Sequence, residues 1–368
     1  MTALRVILED MLAPGSRSIR RYSLELSRAL IATAPAGIAV EGFVAASPEA
    51  AYAQLLEQLP GLRGLHKSAL ARRELTAAWQ SGLGRMRGMV HAPSLLAPLR
   101  AHDRLNDGDQ LIVTVHDLLA FTHPDALGRG TVAWHKAMLK RAVRHADAIV
   151  VPTHAVAGQL TELEPSVSGR LRVISGGGSS ALVAPPDAAR RARALELPER
   201  YVLAIGGIQP HRGIDQLLQA MRGVPAPLLL VGPSEAELAA AEKGLPPSGV
   251  RTLGALGDED LAVVLARASA FAYPNIEEGS GMPVLEAFAL GAPVVHSDAP
   301  ALLELSAEAG LAVPREGGDY PERLAEALRS VLDDEALAER MRVSGLDRVQ
   351  VFDWRSAGEQ VWALHADL

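Results

Sequence analysis

Short apolar runs rich in β-branched residues alternate with amphipathic helical stretches along this chain, and no other feature restricts its fold so narrowly. RVILE (Arg5–Glu9), LIVTVH (Leu111–His116) and AIVVP (Ala148–Pro152) read as buried strands in the first half. YVLAIG, PLLLVG, AFAYP and APVVHS do so in the second. Between them lie helical patterns such as RRYSLELSRALIATA, WHKAMLKRAVRHA, DQLLQAMRG and DEDLAVVLARA. Strand followed by helix, repeated, requires parallel sheets covered on both faces. The alternation runs twice and breaks at VAPPDAARRARALELPERY, where Pro185 and Pro186 mark a linker. The expected fold is α/β with two Rossmann-like, doubly wound domains, 1–183 and 201–350, joined by a linker at 184–200. Residues 351–368 form a solitary amphipathic helix after the second domain is complete. Doubly wound domains place ligands at the carboxyl ends of their strands, so facing edges would make the site a cleft between domains.

Composition narrows the function classes. A chain of 368 residues suits two domains that each bury a core, and the absence of cysteine excludes disulfides and thiolate metal sites. No apolar run reaches the roughly 20 residues needed to span a bilayer. The opening MTALRVILEDML is too short and too acidic for a signal peptide, so the expected location is cytoplasmic. A net charge of −7 argues against nucleic-acid binding. The charge is uneven, however: the first 150 residues carry more Lys and Arg than Asp and Glu. Arg63, Lys67, Arg72, Arg73, Arg85 and Arg87 cluster there, the first four in a segment of helical character. Such a cluster is either a solvated face or a surface for an anionic membrane or acidic acceptor, which would hold the protein peripherally at the inner membrane face.

The stretch Glu277–Gly291, EEGSGMPVLEAFALG, carries the chemistry. Pro283 fits the first position of a helix running to Leu290, Gly291 fits the left-handed residue after it, and Glu286 falls in its first turn. Gly279 and Gly281 strip side chains from the approach to that helix, as in phosphate sites. Glu278 stands eight residues before Glu286. Two carboxylates flanking an anion site suit a ligand with phosphate in its middle and hydroxyls at both ends, which is the shape of a nucleotide sugar. His116 and Asp117 follow a strand directly, where a site residue belongs, and His91 in VHAPS is a weaker second case. NDGD (Asn106–Asp109) contains an Asp-x-Asp pair, but it precedes its strand and reads as a polar turn, so no metal is expected.

Taken together, YPNIEEGSGMPVLEAFALGAPVVHSD resembles the E-x7-E signature of the retaining GT-B glycosyltransferases of glycosyltransferase family 4. YVLAIGGIQPHRGIDQLLQAM is similar to that family's diphosphate-binding loop. VTVHDLLAFTHPDALGR and ADAIVVPTHAVAGQL resemble the acceptor domain of its bacterial mannosyltransferase-like branch. The resemblance implies a GT-B fold, with Glu278 approaching the donor sugar and Glu286 holding the ribose hydroxyls. His116 would lie beside the reacting sugar carbon, and Arg212 would grip the leaving diphosphate in place of the family's lysine. Asp117 would react or orient a neighbour. His211 and Gly207 stand where arginines are common. Gly279, Gly281, Met282, Pro283 and Val284 would approach the phosphates, and Leu253 and Gly254 in RTLGALGDEDL would line the base pocket. The first loop, APGSRSIRRY, keeps Gly15 but has Ser18 and Arg20 where glycine is frequent; Arg17 and Arg20 there suit an acidic acceptor. The terminal helix would cross back onto the first domain. The implied activity is transfer of a hexose from a nucleoside-diphosphate sugar, GDP-mannose favoured, to a glycan or lipid-linked acceptor, without cofactor or metal. The alternatives are a non-catalytic nucleotide-sugar-binding protein and a nucleotide-sugar epimerase.

Overall fold

The computed structural model describes residues 2–13, 17–241 and 249–368. The chain divides into two compact units, 1–176 with 353–368, and 177–352. Among the described residues, the first unit holds a seven-stranded sheet in the order β3-β2-β1-β4-β5-β6-β7. Its strands are β1 Thr2–Ile7, β2 Ile38–Ala46, β3 Gly64–Ala71, β4 Met89–Ala92, β5 Gln110–Thr114, β6 Ala148–Val151 and β7 Leu171–Val173. All neighbours pair in parallel. Val113, Ile149 and Val151 are fully buried, as strands covered on both faces must be.

The second unit repeats the plan with six strands, again among the described residues, in the order β10-β9-β8-β11-β12-β13. They are β8 Val202–Ile205, β9 Leu228–Val231, β10 Val250–Gly254, β11 Ala270–Tyr273, β12 Val294–Ser297 and β13 Leu311–Val313, all parallel. Leu203, Phe271, Phe288 and Val294 meet in its core with no exposed surface. A buried Phe or Leu side chain contributes about 1.5–3 kcal/mol. Strand order reverses between β1 and β4 in one sheet and between β8 and β11 in the other. Those two switch points are where an open α/β sheet leaves a crevice.

Two expectations meet a different local structure. Residues 184–200, read as a linker, contain the helix Ala188–Ala194 and belong to the second unit. Arg191 fixes it there, reaching Asp187 at the N-cap and Asp260 at 2.8 Å each. The basic segment 63–73 is not one helix but mainly strand β3, with the helix Arg72–Gln80 following it. Its charges are also partly answered: Lys67 pairs with Glu49, Arg72 with Glu9 and Asp10, and Arg85 with Asp107 and Asp109.

The helix Trp354–Asp367 belongs to the first unit. Asp353 caps it, accepting from the Arg355 and Ser356 amides. Val361, Trp362 and Leu364 are buried on the helix Arg17–Ala32, and Trp362 Nε1 donates to the Leu30 carbonyl at 3.1 Å. Phe352, inside the 351–368 segment read as that helix, instead packs against the second unit's core. No helix among the described residues is long and apolar enough to cross a membrane.

Candidate active site

At the second unit's switch point the chain leaves β8 through Gly206 and Gly207, then makes the tight turn Pro210–Arg212. Gly213 ends the turn at φ +63°, and a Cβ there would stand 2.3 Å from the Pro274 carbonyl oxygen. Only glycine permits that approach. It sets the Arg212 loop against the end of β11, where the Ile276 amide donates to the His211 carbonyl at 2.8 Å. Gly213→Ala should therefore cost the second unit about 1–3 kcal/mol or more of stability and displace Arg212. Urea unfolding and donor affinity unchanged from the parent would contradict this.

Beyond β11, the Glu278 carboxylate gathers a full set of donors. Tyr273 Oη and Asn275 Nδ2 donate to Oε2 at 2.6 and 2.8 Å, and the Gly279 and Gly281 amides approach Oε1 at 3.2 and 3.3 Å. Arg212 Nη1 lies 3.6 Å from Glu278 Oε2 and 3.5 Å from the Tyr273 hydroxyl. Burial, and next the Glu278 charge, push the Tyr273 hydroxyl well above its ordinary range, so it remains a donor. A guanidinium and two glycine amides form an anion-holding set, and here a protein carboxylate fills it.

The following helix is Met282–Ala289, with Gly281 in the left-handed region at φ +52° and Gly291 likewise after its end. A Cβ on Gly281 would meet Leu305 at 2.3 Å. Three details of the sequence reading change. Pro283 is the second helical residue, not the first. Glu286 sits in the second turn and is 3 % exposed, so it is a buried carboxylate and not a helix-dipole acid. The Val284 and Leu285 amides donate to the Gly281 carbonyl, and the Gly281 amide to Glu278, so these groups are directed within the protein. Gly178 lies against Glu286, where its Cβ would stand 3.5 Å from Glu286 Cγ.

Leu253 and Gly254 end β10, beside the same edge. The Gly232 amide donates to the Gly254 carbonyl at 2.8 Å, and Gly232 in turn abuts Gly206. Gly254 has φ +61° and open space on its Cβ side.

The first unit has its own crevice at the β1/β4 switch point, a cavity of about 320 Å³ lined by Asp10, Arg72, Ser94, Trp134, His116 and Asp117, among others. Ser94 Oγ donates to Asp10 at 2.5 Å across the point where strand order reverses. Glu9 is buried beneath, accepting from the Ala45 amide at 2.7 Å and from Arg72 at 3.1 Å. His116 Nε2 donates to the Pro93 carbonyl at 2.7 Å, which places the ring proton on that nitrogen, and Tyr22 packs edge-on against the ring at 4.5 Å. Asp117 is exposed and accepts from the Leu119 amide at 3.0 Å.

His91 does not belong to this cavity. It is fully buried on β4, 5.9 Å from the His365 ring. NDGD is structural: Asp109 accepts from the Gly88 amide at 2.8 Å and from Arg85 at 3.0 Å, and Gly108 takes the left-handed position before it. Arg20 donates to the Ala13 carbonyl at 2.6 Å. Gly15 lies outside the described residues.

The sequence reading missed Tyr273 and Asn275, although both stand at a strand's carboxyl end, the signal that singled out His116. It also missed Asp10, Ser94 and Trp134, which come from three separate segments.

Two doubly wound units, each with a polar crevice at its switch point, are the architecture of the GT-B fold. The family model "Glycosyl transferases group 1" matches residues 199–334, and "Glycosyltransferase Family 4" matches 19–177. The chain belongs to the GT4-like glycosyltransferases of GT-B fold. It is 27 % identical to O-antigen chain mannosyltransferase B of Escherichia coli, over 74 % of this chain and 72 % of that one. It is 28 % identical to the D-inositol 3-phosphate glycosyltransferase of a Nocardioides species, over 92 % and 82 %. Among solved structures, Anabaena HepE in complex with UDP and glucose superposes with a TM-score of 0.75 at 16 % identity, covering 100 % of both chains.

Proposed function

We propose that the protein is a retaining hexosyltransferase that moves mannose from a nucleoside-diphosphate sugar, GDP-mannose favoured, to a hydroxyl of a glycan or lipid-linked acceptor. The observation that carries this reading is the convergence of Arg212, Glu278 and the Gly279 and Gly281 amides at one switch point. In the structure Glu278 holds those donors. A bound diphosphate would take over Arg212 and the amides, releasing Glu278 towards the sugar hydroxyls. Charge building on the leaving diphosphate is then met by a guanidinium and backbone dipoles already in place, which is the largest ordinary source of rate enhancement. Arg212 supplies the cation that other enzymes take from a metal, so no divalent ion is required. The mannosyltransferase names of the E. coli and Mycobacterium leprae relatives favour mannose.

The test offers GDP-mannose, UDP-glucose and ADP-glucose, each with chelator, and follows release of nucleoside diphosphate and the anomeric configuration of the product. Turnover of GDP-mannose with its α-configuration kept is expected. Thermal stabilisation by a donor with no release of diphosphate, even by hydrolysis, would replace the enzyme with a binding protein. Turnover that chelator abolishes and magnesium restores would refute metal independence.

Glu286 is assigned the ribose hydroxyls. Glu286→Ala should raise KM for the donor about 10–100-fold, the loss of one to two hydrogen bonds to a charged acceptor, with a smaller change in kcat. A collapsed kcat at unchanged KM would move Glu286 to the chemical step.

A further inference from the structure

At the opposite edge of the first unit's sheet, where β5, β6 and β7 begin, a second cavity of about 470 Å³ opens. Arg104, Arg144, Arg170 and Arg172 line it with His102 and His145, against the single carboxylate side chain of Asp147. Asp147 is already shared, lying 2.7 Å from His102 Nε2 and 3.6 Å from Arg104. Arg104 also reaches the main-chain oxygen of Leu368, the last residue, at 2.7 Å and is thereby answered. The bonds of Arg170 and Arg172 go to carbonyls: Arg170 donates to Ala146 and Val143 at 2.5 and 2.6 Å, and Arg172 to Gly169 and Leu171. Carbonyls satisfy N–H groups without cancelling charge. The end of the helix Arg129–His145 offers only about half a negative charge, too little for Arg144, Arg170 and Arg172.

Burial, and after it the charges of Arg141, Arg144 and His102, hold the His145 ring below the usual range. Charges of one sign on a concave wall concentrate the field, and the planar fork of arginine matches phosphate oxygens in pairs. The volume suits a small ligand carrying one or two phosphates.

We propose that this cavity binds a phosphate-bearing ligand, gripped by Arg144 and Arg172 with a hydrogen bond from His145, at a site separate from the candidate active site. Leu364 and Leu368 of the terminal segment share the wall, so an occupant fastens the helix Trp354–Asp367 to the sheet. The phosphate comes either from a soluble metabolite or from a lipid headgroup, and one set of measurements distinguishes them.

Calorimetric titration of the full chain with inorganic pyrophosphate is made in the Arg212→Ala background, which removes the cation of the candidate donor site. Binding is expected, and adding Arg144→Ala with Arg172→Ala should raise Kd about tenfold or more, the loss of paired charge-assisted hydrogen bonds. An unchanged Kd overturns the proposal, as does sodium chloride competing equally at matched ionic strength. Should the added substitutions prevent folding, hydrogen exchange of the Arg212→Ala chain decides. Pyrophosphate should slow exchange around 143–148 and 360–368, and protection confined to the second unit overturns the site. Co-sedimentation with phosphatidylcholine vesicles, with and without phosphatidic acid, completes the set. Retention on phosphatidic acid that the two arginine substitutions remove assigns a headgroup. Pyrophosphate binding without such retention assigns a soluble ligand.

Discussion

Arg212→Ala is expected to lower kcat for sugar transfer by about 10²–10³, the usual effect of removing one charge stabiliser from a preorganised site. Glu278→Gln should cost a similar factor, and the two losses should not multiply. The side chains face one another at 3.6 Å and share the Tyr273 hydroxyl, so each substitution disturbs what the other would. Arg212→Ala leaves the Glu278 carboxylate with Tyr273, Asn275 and two glycine amides but no cation. Glu278→Gln keeps the shape and removes the charge that holds those amides, so it isolates charge from packing. A double-mutant cycle measures the coupling directly. Turnover within threefold of the parent in both single variants, at saturating donor, would take these residues out of the chemistry. A fully additive cycle would keep them in it but dissolve the unit proposed here.

That network was half legible. Glu278, Arg212 and the glycines between and after them could be read from spacing, because phosphate sites need bare backbone near a helix start. Which groups hold Glu278 could not, since Tyr273 and Asn275 meet it only through the bend after β11. The apolar strands β1, β5, β6, β8, β9, β11 and β12 were equally plain. Missed were β3, whose GLHKSALA is an exposed edge, β4 and β10, whose runs are short and broken by His91 and Arg251, and β7 and β13, each three residues long. β2 hides because Glu41 and Gly42 interrupt its apolar run. The Asp10–Ser94 contact spans 84 positions and exists only because β1 and β4 are neighbours. Local pattern reports what each segment does to itself. It does not report which segments share an edge.

The first unit should lose much of its stability in mild acid, before carboxylates titrate. His91 is fully buried, and neither of its ring nitrogens has a hydrogen-bond partner among the described residues. Its neighbour His365 is 3 % exposed, with Nδ1 donating to Gln110 Oε1 at 2.9 Å. Burial, and next the charge of His365, lower His91 from 6.5 to about 3. Burial lowers His365 from 6.5 to about 4. Both rings are therefore neutral in the folded chain. Below pH 6.5 the unfolded chain gains protons that the folded one refuses, so stability present above 6.5 is lost as pH falls towards 4. Each ring removes about 1.4 kcal/mol per pH unit, so the pair removes about 4 kcal/mol by pH 5. Against the 5–15 kcal/mol typical of a domain, that loss is large. All four tryptophans, Trp79, Trp134, Trp354 and Trp362, lie in the first unit, so their fluorescence follows its unfolding separately. His91→Leu should halve the pH slope between 6.5 and 5 while leaving stability at pH 7.5 equal or higher, because an unpaired buried polar ring is replaced by an apolar group. A slope unchanged by the substitution would place the acid sensitivity elsewhere, with His145 the next group to examine.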